Sequence, residues 1–292
     1  MALSAAGTAN ANAEIALYYN FEAQDIACSG WNFKSASSFV TLQFWVRCST
    51  NQTFYCYLQS KDGTEQSYAF SFTASGNNAW TKITKTIPGG SNVDINSDNG
   101  TGLTLSIVPF FGTDLTGNKT LDQWSAFSAS NRHSDMASTW LTAGASTFDL
   151  TGIQLEVGSH STDFEFLSHA EELRRCQRYY AKYQALGSAY AQFLVTTGYA
   201  TDTDSRGIFN FIVEMRVANP GFTYSGSSGD VTDFQDMGGK SINLFQLGDS
   251  GGTGKSTGIR CIFSQSNSSN GFSHAIRAAN NSNAFFAFDA EL

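Results

Sequence analysis

Short stretches in which apolar and polar residues alternate recur along the whole chain. Apolar side chains occupy every second position in residues 15–21, 40–46 and 209–217. This period of two places the apolar side chains of a stretch on one face of a β-strand, whereas an amphipathic helix needs a period of 3.6. Successive stretches lie about 10–20 residues apart, which favours antiparallel β-sandwiches over βαβ units. The sequence therefore predicts an all-β fold.

Composition and charge narrow the expected partners. The chain has 292 residues, with 24 Phe, 3 Pro and a net charge of −8. This negative charge argues against binding to nucleic acid or to an anionic membrane by counterion release. No apolar run approaches the ~18 residues needed to span a bilayer, and residues 1–14 lack the basic and apolar regions of a secretory signal. We expect neither a nucleic-acid partner nor a membrane partner.

The stretch 147–183 combines a strand with a helix. Its apolar residues change parity at Gly152, which predicts a β-bulge in the strand. Ser168 and Glu171 then form a capping box, and Glu171 can pair with Arg175 one helical turn later. Gly187 stands just past the expected helix end. The pattern predicts one helix over about 169–185 that connects two β domains.

The residues of this stretch resemble a family of tailed-phage virion proteins. The resemblance rests on LTGIQLEVG at 150–158, on Phe164-Glu165 and Glu172-Leu173, and on CQRYY at 176–180. The phrases SFVTLQFWVR, AWTKITKTIP and TGLTLSI occur in the same order in that family, so the resemblance covers about residues 14–180. It implies a carbohydrate-binding-module-like jelly roll, followed by a variable C-terminal domain, in a tail-fibre, spike or head-fibre protein.

Pattern and resemblance together predict two antiparallel, jelly-roll-like β-sandwiches joined by one α-helix. The expected segments are an N-terminal arm at 1–13, a jelly roll at 14–166, a connector helix at 167–187 and a second β-sandwich at 188–292. In the similar phage proteins the jelly roll begins several strands earlier, so the first sandwich is expected to be short of strands. The arm is expected to be disordered or bound to a partner.

An unpaired sheet edge aggregates unless another chain covers it. We therefore expect a homo-oligomer, in which the arm of one chain reaches a neighbouring chain or another virion protein. The resemblance implies that this oligomer is a trimer.

Candidate binding residues lie on the face opposite the expected core. In SFVTLQFWVR the core parity belongs to 40, 42, 44 and 46, so Gln43, Trp45 and Arg47 share the other face. An aromatic ring flanked by hydrogen-bonding side chains can hold a sugar. The alternative is that Trp45 packs against a second layer, a loop or a neighbouring subunit. Trp140 is another glycan candidate, whereas Trp80 and Trp124 are expected in the core.

Three strings resemble active or metal sites but are interpreted as turns. GDSGG at 248–252 matches the sequence around a trypsin-like nucleophile, yet none of the four histidines has the matching context. DSGGTGKS at 249–256 departs from a phosphate-binding loop at Asp249, and the following residues read as a strand. Residues 94–100 begin with calcium-loop spacing but lack the required glycine and glutamate, which leaves a non-EF calcium site as an alternative. We expect no metal site, no cofactor and no catalytic residue.

The remaining titratable and thiol residues indicate no chemistry. Carboxylates that could serve glycoside hydrolysis are interpreted as solvated surface: Asp25, Glu65, Asp122 and Asp135. Cys56 and Cys261 have core parity, as expected of buried free thiols, and no disulfide is required.

The sequence favours a non-enzymatic virion protein, a fibre, spike or capsid-surface subunit on the tail or capsid, with host surface glycan as a candidate ligand. The alternatives are a glycan depolymerase of the tail and a purely structural capsid decoration protein.

Overall fold

The computed structural model describes residues 1–187, 190–197, 204–226, 231–236, 241–247, 252–263 and 275–291. The chain divides into two compact units, Met1–Phe166 and Leu167–Glu291. Antiparallel strands dominate both units, which confirms the predicted all-β fold. Across the described ranges, no helix combines the length and the apolar character needed to cross a membrane.

The N-terminal unit contains nine strands and two short helices, α1 (Ala23–Ala27) and α2 (Thr139–Thr142). The strands are β1 (Ala2–Leu3), β2 (Glu14–Glu22), β3 (Phe39–Cys48), β4 (Asn51–Ser60), β5 (Gln66–Ser75), β6 (Thr81–Pro88), β7 (Thr101–Phe111), β8 (Trp124–Ala126) and β9 (Ser146–Val157). Six of these strands, β2 to β7, coincide with alternating stretches of the sequence, because alternate residues of a strand share one face.

The strands form two sheets, in the orders β1-β9-β3-β6 and β2-β7-β4-β5-β8. Apart from the hairpin of β4 and β5, strands that are neighbours in one sheet are not consecutive in sequence, and the chain crosses repeatedly between the sheets in the manner of a jelly roll. β8 is an additional short strand at the edge of the second sheet. The N-terminal unit is therefore a jelly roll with one added edge strand.

Aromatic side chains from both inner faces hold the two sheets together. The ring of Phe44 on β3 meets Phe72 on β5 edge-on, with centroids 5.2 Å apart, and Phe54 on β4 meets Phe148 on β9 at 5.0 Å. Burial of each such side chain contributes about 2–3 kcal/mol. Cys56 lies fully buried in this core, as predicted, and burial raises the pKa of its thiol.

The N-terminal segment differs from the predicted arm at 1–13. Ala2–Leu3 pair with β9 as β1, and the N–H of Gly7 donates to the Leu141 carbonyl at 2.8 Å. The segment thus supplies the opening strand of its own jelly roll, since pairing within the chain satisfies backbone groups without a partner. The expectation that this strand is missing was wrong, although β1 has only two residues.

The predicted bulge in β9 is confirmed. The three residues of β3 from Gln43 to Trp45 lie opposite the four residues of β9 from Thr151 to Gln154. Gly152 has φ +59, in the left-handed region that favours glycine. A Cβ at this position would also lie 3.3 Å from Cδ1 of Trp45. Glycine is required here by both its backbone angle and its neighbour.

The connector begins as predicted. Helix α3 spans His169–Gln177, and the Ser168 hydroxyl accepts a hydrogen bond from the Glu171 N–H at 3.3 Å. Nε of Arg175 lies 3.2 Å from Oε1 of Glu171, which is the predicted ion pair.

The helix ends earlier than the predicted 185. The next residues form a strand, β10 (Tyr180–Gln184), which pairs with β18 (Phe285–Asp289). Ala181 is buried and the ring of Tyr183 lies 4.7 Å from that of Phe209. Packing of these side chains against an aromatic core outweighs their local helix propensity.

The other described strands of the C-terminal unit are β11 (Gln192–Thr197), β12 (Asp204–Asn210), β13 (Gly221–Tyr224), β14 (Val231–Asp236), β15 (Ser241–Leu247), β16 (Ser256–Phe263) and β17 (Ala275–Ala278). They form a closed barrel in the order β11-β12-β16-β15-β14-β17 and a separate sheet in the order β10-β18-β13. Phe286 of β18 packs against Phe234 and Phe245, with centroids 4.9 Å from each. Cys261 is buried in the same core, as predicted.

The predicted strand over 209–217 is shorter than its alternating pattern. β12 ends at Asn210, and Met215 lies beyond it, 2% exposed, with its N–H bonded to the Gly254 carbonyl at 2.7 Å. The alternating pattern continues beyond the strand into a loop, where Met215 is buried and Phe211 and Val217 pack against the same core.

Candidate functional site

The outer face of the four-stranded sheet carries three of the predicted binding residues. Gln43, Trp45 and Arg47 occupy alternate positions of β3 and share this face. Trp45 is 39% exposed, whereas Gln43 is only 2% exposed. The face is open around Trp45 and closed around Gln43.

Residues 158–166, here called the strap, close this part of the face. Nε2 of Gln43 donates to the Thr162 carbonyl at 2.9 Å, and the Thr162 N–H donates to Oε1 of Glu156 at 2.7 Å. The N–H of Glu165 donates to Oε1 of Gln154 at 2.9 Å. The chain itself therefore occupies the amide that was predicted to bind a sugar.

Glu156 is the main acceptor for the strap. Its second oxygen accepts from the Thr162 hydroxyl at 2.8 Å. Burial favours a higher pKa, but the hydrogen bonds from Thr162 outweigh it and lower the pKa of Glu156. The carboxylate form thus holds the strap in place.

Arg47 is also engaged within the chain. Its guanidinium lies 2.8 Å from Oδ2 of Asp149 and 5.0 Å from the ring centroid of Trp80. Trp80 is 43% exposed, so its expected core position was wrong. It immediately precedes β6 and packs beside the Arg47 cation on the outer face. The Arg47 guanidinium thus already has a carboxylate partner and an aromatic neighbour within the chain.

Trp140 cannot contact a glycan in this structure, which corrects its assignment as a binding residue. It has no exposed surface, its indole N–H donates to the Thr147 carbonyl at 3.1 Å, and its ring packs against Phe148. Helix α2 turns the side chain inward, where its large apolar area stabilises the end of the core.

A cleft lies on the outer face of the other, five-stranded sheet. Its volume is about 350 Å³, and it opens between β2, β7 and β4 on one side and the chain after β8 on the other. Aromatic and hydrogen-bonding side chains line it: Tyr18, Asn20, Tyr57, Gln59, Lys61, Thr101, Thr104, Phe127 and Arg132. The size and the mixed lining are typical of small-ligand sites.

One wall of the cleft is a network of three side chains. NH1 of Arg132 lies 2.8 Å from Oε1 of Glu14 and 3.2 Å from the Tyr18 hydroxyl, and that hydroxyl donates to Glu14. Burial alone would raise the pKa of Glu14, but these hydrogen bonds and the Arg132 charge lower it. Burial and the bond to Glu14 raise the pKa of Tyr18. The ring of Tyr18 is thereby fixed at the mouth, 47% exposed.

A second pair of charges holds the opposite wall. Nζ of Lys61 lies 2.5 Å from Oε1 of Glu65, and Nε2 of Gln59 donates to the other oxygen at 2.8 Å. The Lys61 ammonium also lies 6.0 Å from the ring centroid of Phe127. Each cation at the cleft has a carboxylate partner, so the wall presents hydrogen-bond donors with little net charge.

The floor adds further polar groups. The Thr104 hydroxyl donates to Oδ1 of Asn20 at 2.8 Å, which holds both side chains side by side on the floor. Tyr57 lies beside them, with 1% of its surface exposed. The ring that a sugar can reach is that of Tyr18 at the mouth, on which the C–H face of the sugar can stack.

The sequence contains part of the signal for this cleft. Tyr18, Asn20, Gln59 and Thr104 each stand at the outward parity of their strands. Their convergence depends on β2, β7 and β4 being neighbours in one sheet, which alternation alone does not specify. Arg132 lies in a loop, where no alternating pattern of residues identifies it in the sequence.

The expected turn at 94–100 holds no assembled metal site. Oδ1 and Oδ2 of Asp62 accept from the two N–H groups of Asn96 at 2.8 Å, and Asp94 pairs with Lys34. Where side chains are described, no group of three or more His, Cys, Asp or Glu is arranged to hold a metal ion.

The glycine-rich string at 248–255 is described only in part. Residues 248–251, which include the candidate nucleophile, lie outside the described residues. Nζ of Lys255 lies 3.7 Å from Oε2 of Glu214, and β16 begins at the next residue. A strand therefore follows where a phosphate-binding loop requires a helix.

Comparison with known proteins assigns no family. No protein-family model matches the chain, and no curated protein matches it. Among solved structures, the chain is similar to a crystal structure from Parabacteroides distasonis ATCC 8503, of a protein thought to be secreted. The two share 9% identity over 97% of this chain and 84% of the other, with a TM-score of 0.22.

Proposed function

We propose that the chain is a non-enzymatic structural and adhesion protein of a phage virion, a fibre, spike or capsid-surface subunit, and that its jelly roll binds a host surface glycan in the cleft. The resemblance of residues 14–180 supports the virion part of this proposal. The cleft supports the glycan part.

The single observation that carries glycan binding is the composition of the cleft. It places the half-exposed ring of Tyr18 beside the side chains of Gln59, Thr104 and Asn20 within one cavity of about 350 Å³. A ring that stacks on the sugar and amide groups that bond its hydroxyls together give both affinity and orientation.

Two carboxylates adjoin the cleft, and both are held by cations. Glu14 accepts from Arg132 and Tyr18, and its lowered pKa keeps it ionised. Glu65 accepts from Lys61 and Gln59. Glycoside hydrolysis needs one carboxyl group that carries a proton near neutral pH. This arrangement favours binding over cleavage, and hence an adhesin over a depolymerase.

The test compares one aromatic residue on each outer face. The Tyr18→Ala variant removes the ring at the cleft mouth, and we expect at least a ~10-fold loss of affinity for host polysaccharide on a glycan array or by calorimetry. Trp45→Ala, on the other sheet and similarly exposed, is the matched control and should bind as the parent does. Loss with Trp45→Ala alone would place the glycan on the four-stranded sheet.

A second measurement separates the adhesin from its alternatives. The parent protein incubated with the bound polysaccharide should release no reducing ends. Release would identify a depolymerase. Failure to bind any surface glycan of the host would instead favour a capsid decoration protein.

A further inference from the structure

Both sheets of the jelly roll end on the same flank. On the opposite flank, Nε1 of Trp124 at β8 donates to the Pro88 carbonyl at β6, at 2.7 Å. Phe148 of β9 packs on Phe54 of β4, so strand order runs in the same direction through both sheets. β1 and β9 therefore lie on the same side as β2.

The edge of the four-stranded sheet is open along most of β9. β1 pairs only with Ser146 and Thr147, and β3 is the only strand neighbour of 150–157 within the described chain. Val157 lies opposite buried Val40 on the core-facing side, yet it is 46% exposed. Ile153, on the same side, is 42% exposed.

The edge of the five-stranded sheet shows the same feature. β7 is the only described strand neighbour of β2. Leu17 lies opposite buried Ile107 and Tyr19 opposite buried Leu105, but they are 39% and 59% exposed. This flank thus exposes core-facing side chains of both sheets along the two edge strands β9 and β2.

We infer that this open flank is the interface with a second copy of the chain, and that the two copies are related by a two-fold axis across it. A single added strand would cover the β9 edge and leave β2 exposed. A second copy supplies both edges at once, because a two-fold axis brings the same flank of each molecule together. The side chains that project from the flank, Leu17, Tyr19, Ile153, Leu155 and Val157, carry no charge to oppose such contact.

The sequence of β9 specifies a self-complementary register. Antiparallel pairing centred on Leu155 places Ile153 opposite Val157 of the second copy, with apolar side chains directed to the core side. It places Gln154 opposite the second Glu156, so that no like charges face each other. Centring on Ile153 would instead set Thr151 against Leu155, because the bulge at Gly152 changes the parity.

This inference does not rest on glycan binding, since it is argued from the strand edges and not from the cleft. It also differs from the trimer implied by the resemblance. Sedimentation equilibrium of the full chain at micromolar concentration separates the two, and we expect a dimer. A monomer or a trimer would overturn the inference.

Substitution of the flank tests the contact itself. Ile153→Lys combined with Val157→Lys places two charges at the centre of the interface and should give a monomer. Ile212→Lys, at a residue 72% exposed in the other unit, is the matched control and should remain dimeric. A circular-dichroism spectrum like that of the parent shows that the double variant is folded, and a folded double variant that stays dimeric contradicts the proposed interface.

A cross-link tests the register without depending on stability. Opposed residues of antiparallel strands have Cα atoms about 4.5–5.5 Å apart, within disulfide range. Leu155→Cys, in a background with exposed Cys28 and Cys176 changed to Ser, should form a covalent dimer under mild oxidation. Thr151→Cys in the same background should not. Equal cross-linking of the two variants would contradict the register.

Discussion

The two outer faces of the jelly roll are both covered by irregular chain, but by different interactions. On the four-stranded sheet the side chain of Gln43 donates a hydrogen bond to the strap, and those of Gln154 and Glu156 accept hydrogen bonds from it. On the five-stranded sheet, residues 112–136, here called the cover, pack on an apolar cluster that includes Phe111 and Tyr57. Hydrogen bonds consume the polar groups of the first face. Apolar packing of the cover leaves an open cleft beside the polar groups of the second face, which are hydrogen-bonded to one another.

This difference shows why outward parity alone is a weak guide to a binding site. Gln43 and Tyr18 are both polar or aromatic residues on the outer side of a strand. One is 2% exposed beneath the strap, and the other is 47% exposed at the mouth of a cleft. What covers the sheet decides which of them a ligand can reach.

The largest effect on stability should come from the five-stranded sheet, whose cover is held by apolar packing. Phe111→Ala removes a ring that is 2% exposed, stacks on His133 at 5.3 Å and lies beneath the Arg132 guanidinium. We expect the free energy of unfolding to fall by about 3–5 kcal/mol, as for other buried phenylalanines. Urea denaturation followed by tryptophan fluorescence measures it.

Phe166→Ala is the control for this prediction. Phe166 belongs to the strap and is 88% exposed, so its removal should change stability by less than ~0.5 kcal/mol. Equal losses in the two variants would mean that the strap, too, is held by apolar packing.

The second effect is a pH dependence of stability that arises from His133 in the cover. Burial lowers the pKa of His133, whose ring stacks on Tyr55 at 4.5 Å, from 6.5 to about 4. Below pH 6.5 the unfolded chain binds a proton that the folded chain excludes until about pH 4, so stability falls through this window by about 3 kcal/mol. His133→Phe keeps a ring at this position and should remove most of the decline. Parallel pH profiles of the parent and the variant would refute the assignment.

The strap should respond more weakly. Thr162→Val removes the hydroxyl that donates to Oε2 of Glu156 at 2.8 Å, while the backbone bond to Glu156 remains. We expect a loss of about 1 kcal/mol in thermal or urea unfolding. Thr73→Val, at an exposed position of β5, provides the control and should have no comparable effect.

The smallest effect should be the acid sensitivity of the strap. The pKa of Glu156 is lowered below its ordinary value of 4.5, so its contribution is fully present above that pH and is lost as the pH falls below it. Glu156→Gln should flatten this part of the stability profile and leave the window of His133 unchanged. A change between pH 6.5 and 4.5 in this variant would contradict the separation of the two faces.

The sequence predicted local features well where one side chain or one turn decides them. The bulge at Gly152 and the cap at Ser168 each depend on residues within a few positions. Alternation also located β2 to β7, since the core selects one parity. The helix end failed because Tyr183 packs against Phe209, a residue whose proximity no local pattern contains.

The candidate site was predicted less well, for a related reason. Trp45 and Arg47 were correctly placed on one outer face, but Trp140 was placed outside the core and Trp80 inside it. Both errors concern residues outside the long strands, where the alternation of the sequence does not predict which way a side chain points. The cleft requires three strands and a distant loop to meet, which is a property of the sheet order.

The strap has a mechanical consequence. Every force transmitted along the backbone from residue 167 to the jelly roll passes first through residues 158–166, whose Thr162 and Glu165 are tied to the sheet by individual hydrogen bonds. Under tension these bonds open one after another, before the β9 ladder is loaded. The released strap has a fully extended length of roughly 30 Å, so the tether lengthens while the jelly roll stays folded. The segment would then act as an extensible leader that absorbs a pull on the protein.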